Sequence, residues 1–200
     1  MGQKLTSGWF THAAERHLCQ ACRVMARLTV EHGTRPLADC EFQPFQTLPN
    51  SIICQQLSAT AADMIERPIQ AIVLAFTPAG FLAVPTEALR AAGLSSGKAR
   101  YILELAQRAS DGRLNLEAMQ EAPDADVIAA LLEPPGVVRW TAEMFLIFGL
   151  DRPDVLSLSA AGLQRAVRLL FWDDAKLEHM GQSLRPFCSV ASWYLWRHLN

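Results

Sequence analysis

The sequence predicts an all-α fold, and three observations carry that prediction. Alanine and leucine dominate a chain in which 50% of residues are hydrophobic and 19% are charged, a globular profile rich in helix formers. Valine and isoleucine are scattered and never form the alternating runs that strands require. Capping and breaking residues punctuate the chain at helix-length intervals. The 200 residues can bury one substantial core or two small lobes.

Taken in order, residues 21–32 show helical spacing through Val24, Leu28 and Val30, and stop at Gly33. Residues 35–43 have no period and read as a connector. Residues 45–76 read as two helices with Ser58 as the N-cap between them. Thr77-Pro78 starts a short element, and Pro85-Thr86 opens another that ends at Gly93. Ser95 or Ser96 caps an amphipathic helix running to Arg108, with Ile102, Leu103 and Leu105 inward. Asp111-Gly112 is a turn. Residues 115–121 and 124–132 are short helices, the second capped by Asp124, and Pro134-Pro135-Gly136 breaks the chain. An apolar helix follows over 140–148, then a break at Asp151-Arg152-Pro153, then helices over 160–171, 174–182 and 185–199.

Several function classes find no support. The longest apolar stretches, 71–76 and 144–150, are far too short to span a bilayer, so no membrane role is expected. The N-terminus lacks the apolar core of a secretory signal, and its match to a myristoylation pattern is too short to carry an argument. Cys19, Cys22, Cys40, Cys54 and Cys188 are an odd, scattered set that suits a reducing compartment. Cys19 and Cys22 read as two small buried residues on one helix face. Neither H-E-x-x-H nor G-x-S-x-G occurs. The run from Gly93 to Lys98 has one residue too few between glycines for a phosphate loop, and Ala99 stands where Ser or Thr is needed. It reads as a turn followed by a helix start. The net charge of −2 counts against bulk electrostatic binding of nucleic acid, so any such role needs a local basic surface.

The informative stretch runs from Leu132 through Pro134-Pro135-Gly136-Val137-Val138 to Arg139-Trp140-Thr141-Ala142-Glu143-Met144. A helix, a tight Pro-Gly turn and a second helix form the layout of a DNA-binding hairpin, which offers backbone N–H groups to a phosphate. Further pieces stand in register around it: Ile52-Ile53-Cys54-Gln55-Gln56-Leu57-Ser58, Gly93-Leu94-Ser95 with Lys98-Ala99, Arg152-Pro153-Asp154-Val155, Gly162-Leu163-Gln164-Arg165-Ala166, and Arg185-Pro186-Phe187 through Trp193-Tyr194-Leu195-Trp196. Together they resemble the helix-hairpin-helix DNA glycosylase superfamily, in its 3-methyladenine glycosylase II branch, over most of the chain.

That resemblance implies two helical lobes flanking a DNA-binding cleft. A central lobe would cover 45–152 with the hairpin at about 125–148, and a discontinuous lobe would join 1–44 to 153–200. It implies a monofunctional N-glycosylase of base-excision repair that flips and removes alkylated purines such as 3-methyladenine. Flipping costs roughly a few kcal/mol. The resemblance assigns Gln56, with its neighbour Gln55, to filling the gap left in the DNA. It places Trp140, Trp196 and Met144 at the base pocket, where an aromatic face attracts a cationic base by about 0.5–2 kcal/mol. Trp193 and Tyr194 read as core. Gly136, Val137, Val138, Arg139 and Thr141 would form the phosphate-binding hairpin.

Trp140 stands where bifunctional relatives carry a Schiff-base lysine, so no lyase activity is expected. Cys188 is the single cysteine of the C-terminal region, so no iron–sulfur cluster is expected. The implied partner is double-stranded DNA with alkylated bases, bound by a monomer in the cytoplasm, with the nucleoid or in the nucleus. No dissociable cofactor is implied. A monovalent cation at the hairpin carbonyls is a family expectation, against which Val138 counts.

Three positions depart from the pattern. Counting from Asp154-Val155 to the family's catalytic aspartate lands on Ala160, whose methyl group neither carries charge nor polarises water. Losing such electrostatic stabilisation costs on the order of 10²–10³ in rate. Val138 replaces the hairpin's second glycine, and Cys188 replaces a frequent arginine expected on the DNA-facing side. Because hairpin and catalytic position both change, natural divergence explains Ala160 better than a designed knockout. The readings are then an impaired or silent glycosylase, a non-catalytic damaged-DNA-binding protein, or a helical interaction module that no longer binds DNA.

Overall fold

The computed structural model describes residues 8–34, 44–171 and 176–199. The expected connector over 35–43, Cys40 and the first residues of the expected 174–182 helix lie outside them. The described residues hold twelve α-helices and no strand: α1 Gly8–Ala21, α2 Arg23–His32, α3 Pro44–Cys54, α4 Ala59–Ile72, α5 Pro78–Leu82, α6 Thr86–Ala91, α7 Ser96–Ser110, α8 Asp124–Leu132, α9 Arg139–Met144, α10 Ala161–Phe171, α11 Leu177–Leu184 and α12 Cys188–Leu199. A 3₁₀ turn covers Ala118–Gln120, and a π-helical segment, Phe145–Gly149, continues α9. The all-α prediction holds.

Two compact units emerge, one from the described residues within Met1–Glu41 and Asp151–Asn200, the other from those within Phe42–Leu150. The first packs α12 against α10 and α2, with α1 lying on α2. Tyr194 is fully buried there, its hydroxyl 2.8 Å from Glu15 Oε1 and 3.0 Å from the Gly33 carbonyl. The second packs α5 on α7, and α3 on α9 and the π segment. Its centre includes Ile52, Ile53, Phe81, Leu89, Ile102, Leu105 and Phe145, all without exposed surface. No helix of the described residues is long and apolar enough to cross a membrane.

Local chemistry sets most boundaries. Ser58 Oγ accepts the Ala61 N–H at 3.3 Å, Ser95 Oγ accepts that of Lys98 at 3.2 Å, and Thr77 Oγ1 accepts that of Gly80 at 3.1 Å. Each side chain replaces a partner that the first helical turn lacks. Asp124 is not a cap, however. Pro123 holds that position in extended backbone, and Asp124 is the first helical residue, where its charge favours the helix dipole.

Other expectations are corrected. Cys19 and Cys22 do not share a helix face, because extended backbone at Cys22 (φ −155°, ψ 129°) separates α1 from α2 and Cys19 is exposed. Leu103 is half-buried rather than inward. The 115–121 helix shrinks to the three-residue 3₁₀ turn. The 185–199 helix begins only at Cys188, because Arg185 precedes a proline and is driven into extended backbone (ψ 143°).

Candidate nucleic-acid interface

The hairpin is built by a turn that only glycine can make here. Gly136 has φ +85°, and a Cβ on it would lie 2.1 Å from Cγ of Tyr101 on α7. Val137 is buried at 6% exposure and anchors the turn, while Val138 is 49% exposed. Val138 does not distort the backbone as its departure from glycine suggested. Its φ of −103° suits any residue, so its branched side chain crowds the outer surface instead of straining the turn. Val138 is the N-cap of α9 and no side chain caps that end. The first-turn N–H groups of α9 lack intrahelical partners, and the π segment prolongs the helix behind them to Gly149.

Three of the hairpin carbonyls accept hydrogen bonds within the protein. Gly136 O accepts Gln55 Nε2 at 3.0 Å, Val138 O accepts the Ala142 N–H at 3.1 Å, and Pro134 O takes a long bond of 3.5 Å from the Val137 N–H.

Gln55 and Gln56, adjacent in sequence, are separated in role. Gln56 is exposed and lies at φ +60°, a left-handed conformation costing a non-glycine residue about 1–2 kcal/mol. Strain of that kind persists where surrounding structure imposes it, often at functional positions. Gln55 corrects the expectation of an intercalating residue. Its Nε2 also donates to Thr141 Oγ1 at 2.8 Å, so its amide is spent joining the end of α3 to the hairpin. Thr141 is fully buried, and its hydroxyl serves that link. Lys98 Nζ donates to the Ile53 and Gln55 carbonyls at 2.8 and 2.9 Å.

On α9 the Arg139 side chain is 68% exposed, with Nε 3.1 Å from Oε1 of Glu143, itself only 7% exposed. Trp140 is half-buried. Met144 is 5% exposed and belongs to the core.

The remaining candidates stand on the other unit. Ala160 is 3% exposed and forms the start of α10, its carbonyl accepting the Gln164 N–H at 3.0 Å. A carboxylate at this position would stand at the positive end of an eleven-residue helix. Trp196 is half-buried, and its indole packs on α10 at Gly162, where an added Cβ would come within 3.1 Å of Nε1. The structure therefore brings Trp196 to within two residues of Ala160.

Glu143 is paired with Arg139, and Asp154 with Arg185 and the Cys188 N–H. Asp154 thus caps α12 from outside that helix. Cys188 is completely buried, which corrects its placement on a DNA-facing surface. Its thiol pKa is pushed up to about 12, first by burial and then by the Asp154 carboxylate.

Sequence reasoning missed Tyr101 as the residue that shapes the turn, and nothing in the sequence marks it. Lys98 did leave a signal. A cation in the first turn of a helix opposes the dipole, so its presence asks for another partner.

The site is thus a hairpin with an uncapped helix end, tied through Gln55 to an exposed left-handed residue that closes a neighbouring helix. Residues 50–186 match the model of the HhH-GPD superfamily base excision DNA repair proteins, and the chain belongs to that family. The Bacillus subtilis protein named "Putative DNA-3-methyladenine glycosylase YfjP" is 29% identical over 183 residues. The match covers 85% of this chain but 63% of YfjP, so the chain spans under two thirds of that relative's length. A Bacillus halodurans DNA-3-methyladenine glycosidase structure is 34% identical, with TM-score 0.70, covering 90% of this chain and 86% of that one. The Schizosaccharomyces pombe 3-methyladenine DNA glycosylase in complex with abasic DNA is 28% identical, with TM-score 0.82, covering 92% and 95%.

Proposed function

We propose that this protein binds damaged duplex DNA through the hairpin and Gln56, and acts as a monofunctional N-glycosylase on alkylated purines, slowed by Ala160. The observation that carries the reading is the link from Gln55 to Gly136 and Thr141, which holds the exposed Gln56 beside the uncapped start of α9. In this reading the α9 N–H groups and Arg139 hold a phosphate, and Gln56 enters the stack as a base leaves it. Trp140, half-buried on α9, offers an aromatic face to a cationic base. Trp140 also rules out an amine nucleophile at its own position, so base release would proceed by water. The names of the relatives support DNA-3-methyladenine chemistry, and the abasic DNA in the yeast structure supports the partner.

A second reading, lesion binding without base release, is favoured by Ala160 itself. Its buried methyl offers nothing to stabilise an oxocarbenium-like transition state. Both readings share the DNA-binding step, which is tested by titrating duplexes with and without an abasic analogue and repeating the titration at several salt concentrations. We expect tighter binding to the damaged duplex and an affinity that falls with salt. Equal affinity for the two duplexes would contradict both.

A further inference from the structure

We infer that Lys98 is a positioning residue which, through Gln55, couples the wedge turn at Gln56 to the hairpin, so that both meet DNA as one rigid element; the inference rests on the DNA-binding reading above.

The segment Gly93-Leu94-Ser95-Ser96-Gly97-Lys98, which fails as a phosphate loop, is the start of α7. Ser95 caps it by accepting the Lys98 N–H, which leaves the Lys98 side chain in the first helical turn. A cation is unfavourable there, at the positive end of α7. It is favourable at the C-terminal end of α3, and that is where it reaches. The last carbonyls of a helix lack intrahelical donors, and Nζ supplies two bonds, at 2.8 Å to Ile53 O and 2.9 Å to Gln55 O. These two carbonyls bracket Cys54 and immediately precede Gln56. Lys98 therefore fixes the residues from which the left-handed Gln56 projects.

Three residues further along the same face of α7, the Tyr101 ring packs on the bare Cα of Gly136. The circuit closes through Gln55, whose amide donates to Gly136 O and Thr141 Oγ1. One face of α7 thus sets the wedge turn with Lys98 and the hairpin turn with Tyr101, and Gln55 ties the two turns together. Partial burial lowers the Lys98 pKa, with the neighbouring Cys54 acting in the opposite direction, as befits an ammonium drawn inward.

This role differs measurably from a phosphate contact. Replacing a lysine that neutralises one phosphate lowers the salt slope of binding by about one and weakens all duplexes together. For Lys98→Met we expect an unchanged slope on intact duplex. Preference for the abasic-analogue duplex should fall roughly 3- to 10-fold, the worth of about one hydrogen-bonded link. Gln55→Leu should do the same, and the double variant should do no more than the worse single one, because all act on one circuit. A reduced slope, or strictly additive losses, would overturn the inference.

If Lys98→Met fails to fold, Gln55→Leu still cuts the link while leaving the α3 cap in place. If the unmutated chain shows no preference for damage, the DNA-binding reading fails first. The coupling is then read by amide exchange in the protein alone. Lys98→Met should accelerate exchange at residues 136–139, and unchanged exchange there would reject it.

Discussion

Replacing Gly136 with alanine strikes the hairpin at its tightest point, and its cost can be assembled from the geometry. A left-handed φ of +85° costs a residue with a Cβ about 1–2 kcal/mol. That Cβ would also lie 2.1, 2.2 and 2.6 Å from Cγ, Cδ2 and Cβ of Tyr101. Forcing such a ring aside in packed surroundings adds about 1–3 kcal/mol. The sum is about 2–5 kcal/mol, or roughly 4–20 °C in Tm for a chain of this size. Urea unfolding followed by far-ultraviolet circular dichroism would measure it, with the same substitution repeated in a Tyr101→Ala background. Without the ring only the conformational part should remain, so the second cost should fall to about 1–2 kcal/mol. An identical cost in both backgrounds, or a cost within about 0.5 kcal/mol of zero in the first, would refute the argument that Tyr101 shapes this turn.

Three further outcomes are expected. Ser95→Ala removes the α7 cap and should cost about 0.5–2 kcal/mol in the same unfolding assay, whereas Ser96→Ala should not. Tyr194→Phe removes a buried hydroxyl that faces Glu15 and Gly33, and should cost about 1–3 kcal/mol, since it strands an acceptor. Burial raises the Cys188 thiol from an ordinary 9.0 to about 12 in the folded protein, so the native state retains a proton that the unfolded chain releases. The associated stability is complete below pH 9 and lost as pH rises towards 12. A stability–pH profile should show a loss in that window that Cys188→Ala diminishes, and identical alkaline profiles would contradict it.

Much of the fold was legible because short-range chemistry decides it. The Ser58 and Ser95 caps, the Pro-Gly break at 135–136 and the stops at Gly33 and Gly93 each act within one helical turn. What failed depended on something other than composition. Asp124 looked like a cap by residue type, yet the fixed φ of Pro123 took that position. Cys188 looked like a lost surface cation because register alone does not reveal burial. The turn at Gly136 was readable from motif order. The contacts of Gln55, Thr141 and Lys98 were not, because they join partners 81, 86 and 43 residues apart and leave no periodic trace. Val138 shows the same limit in reverse: a lost glycine predicts strain only if the position needs a positive φ, and this one does not.

In the proposed function the base-excision scaffold is competent and Ala160 alone holds back its chemistry. The direct test is release of methylated purines from alkylated duplex DNA by the chain as it stands and by Ala160→Asp, at equal concentration and with folding verified. Ala160→Asp should release them faster by on the order of 10²-fold, since it restores a carboxylate at the head of α10. No release from either protein, with both folded, would contradict it and leave lesion binding as the function to pursue.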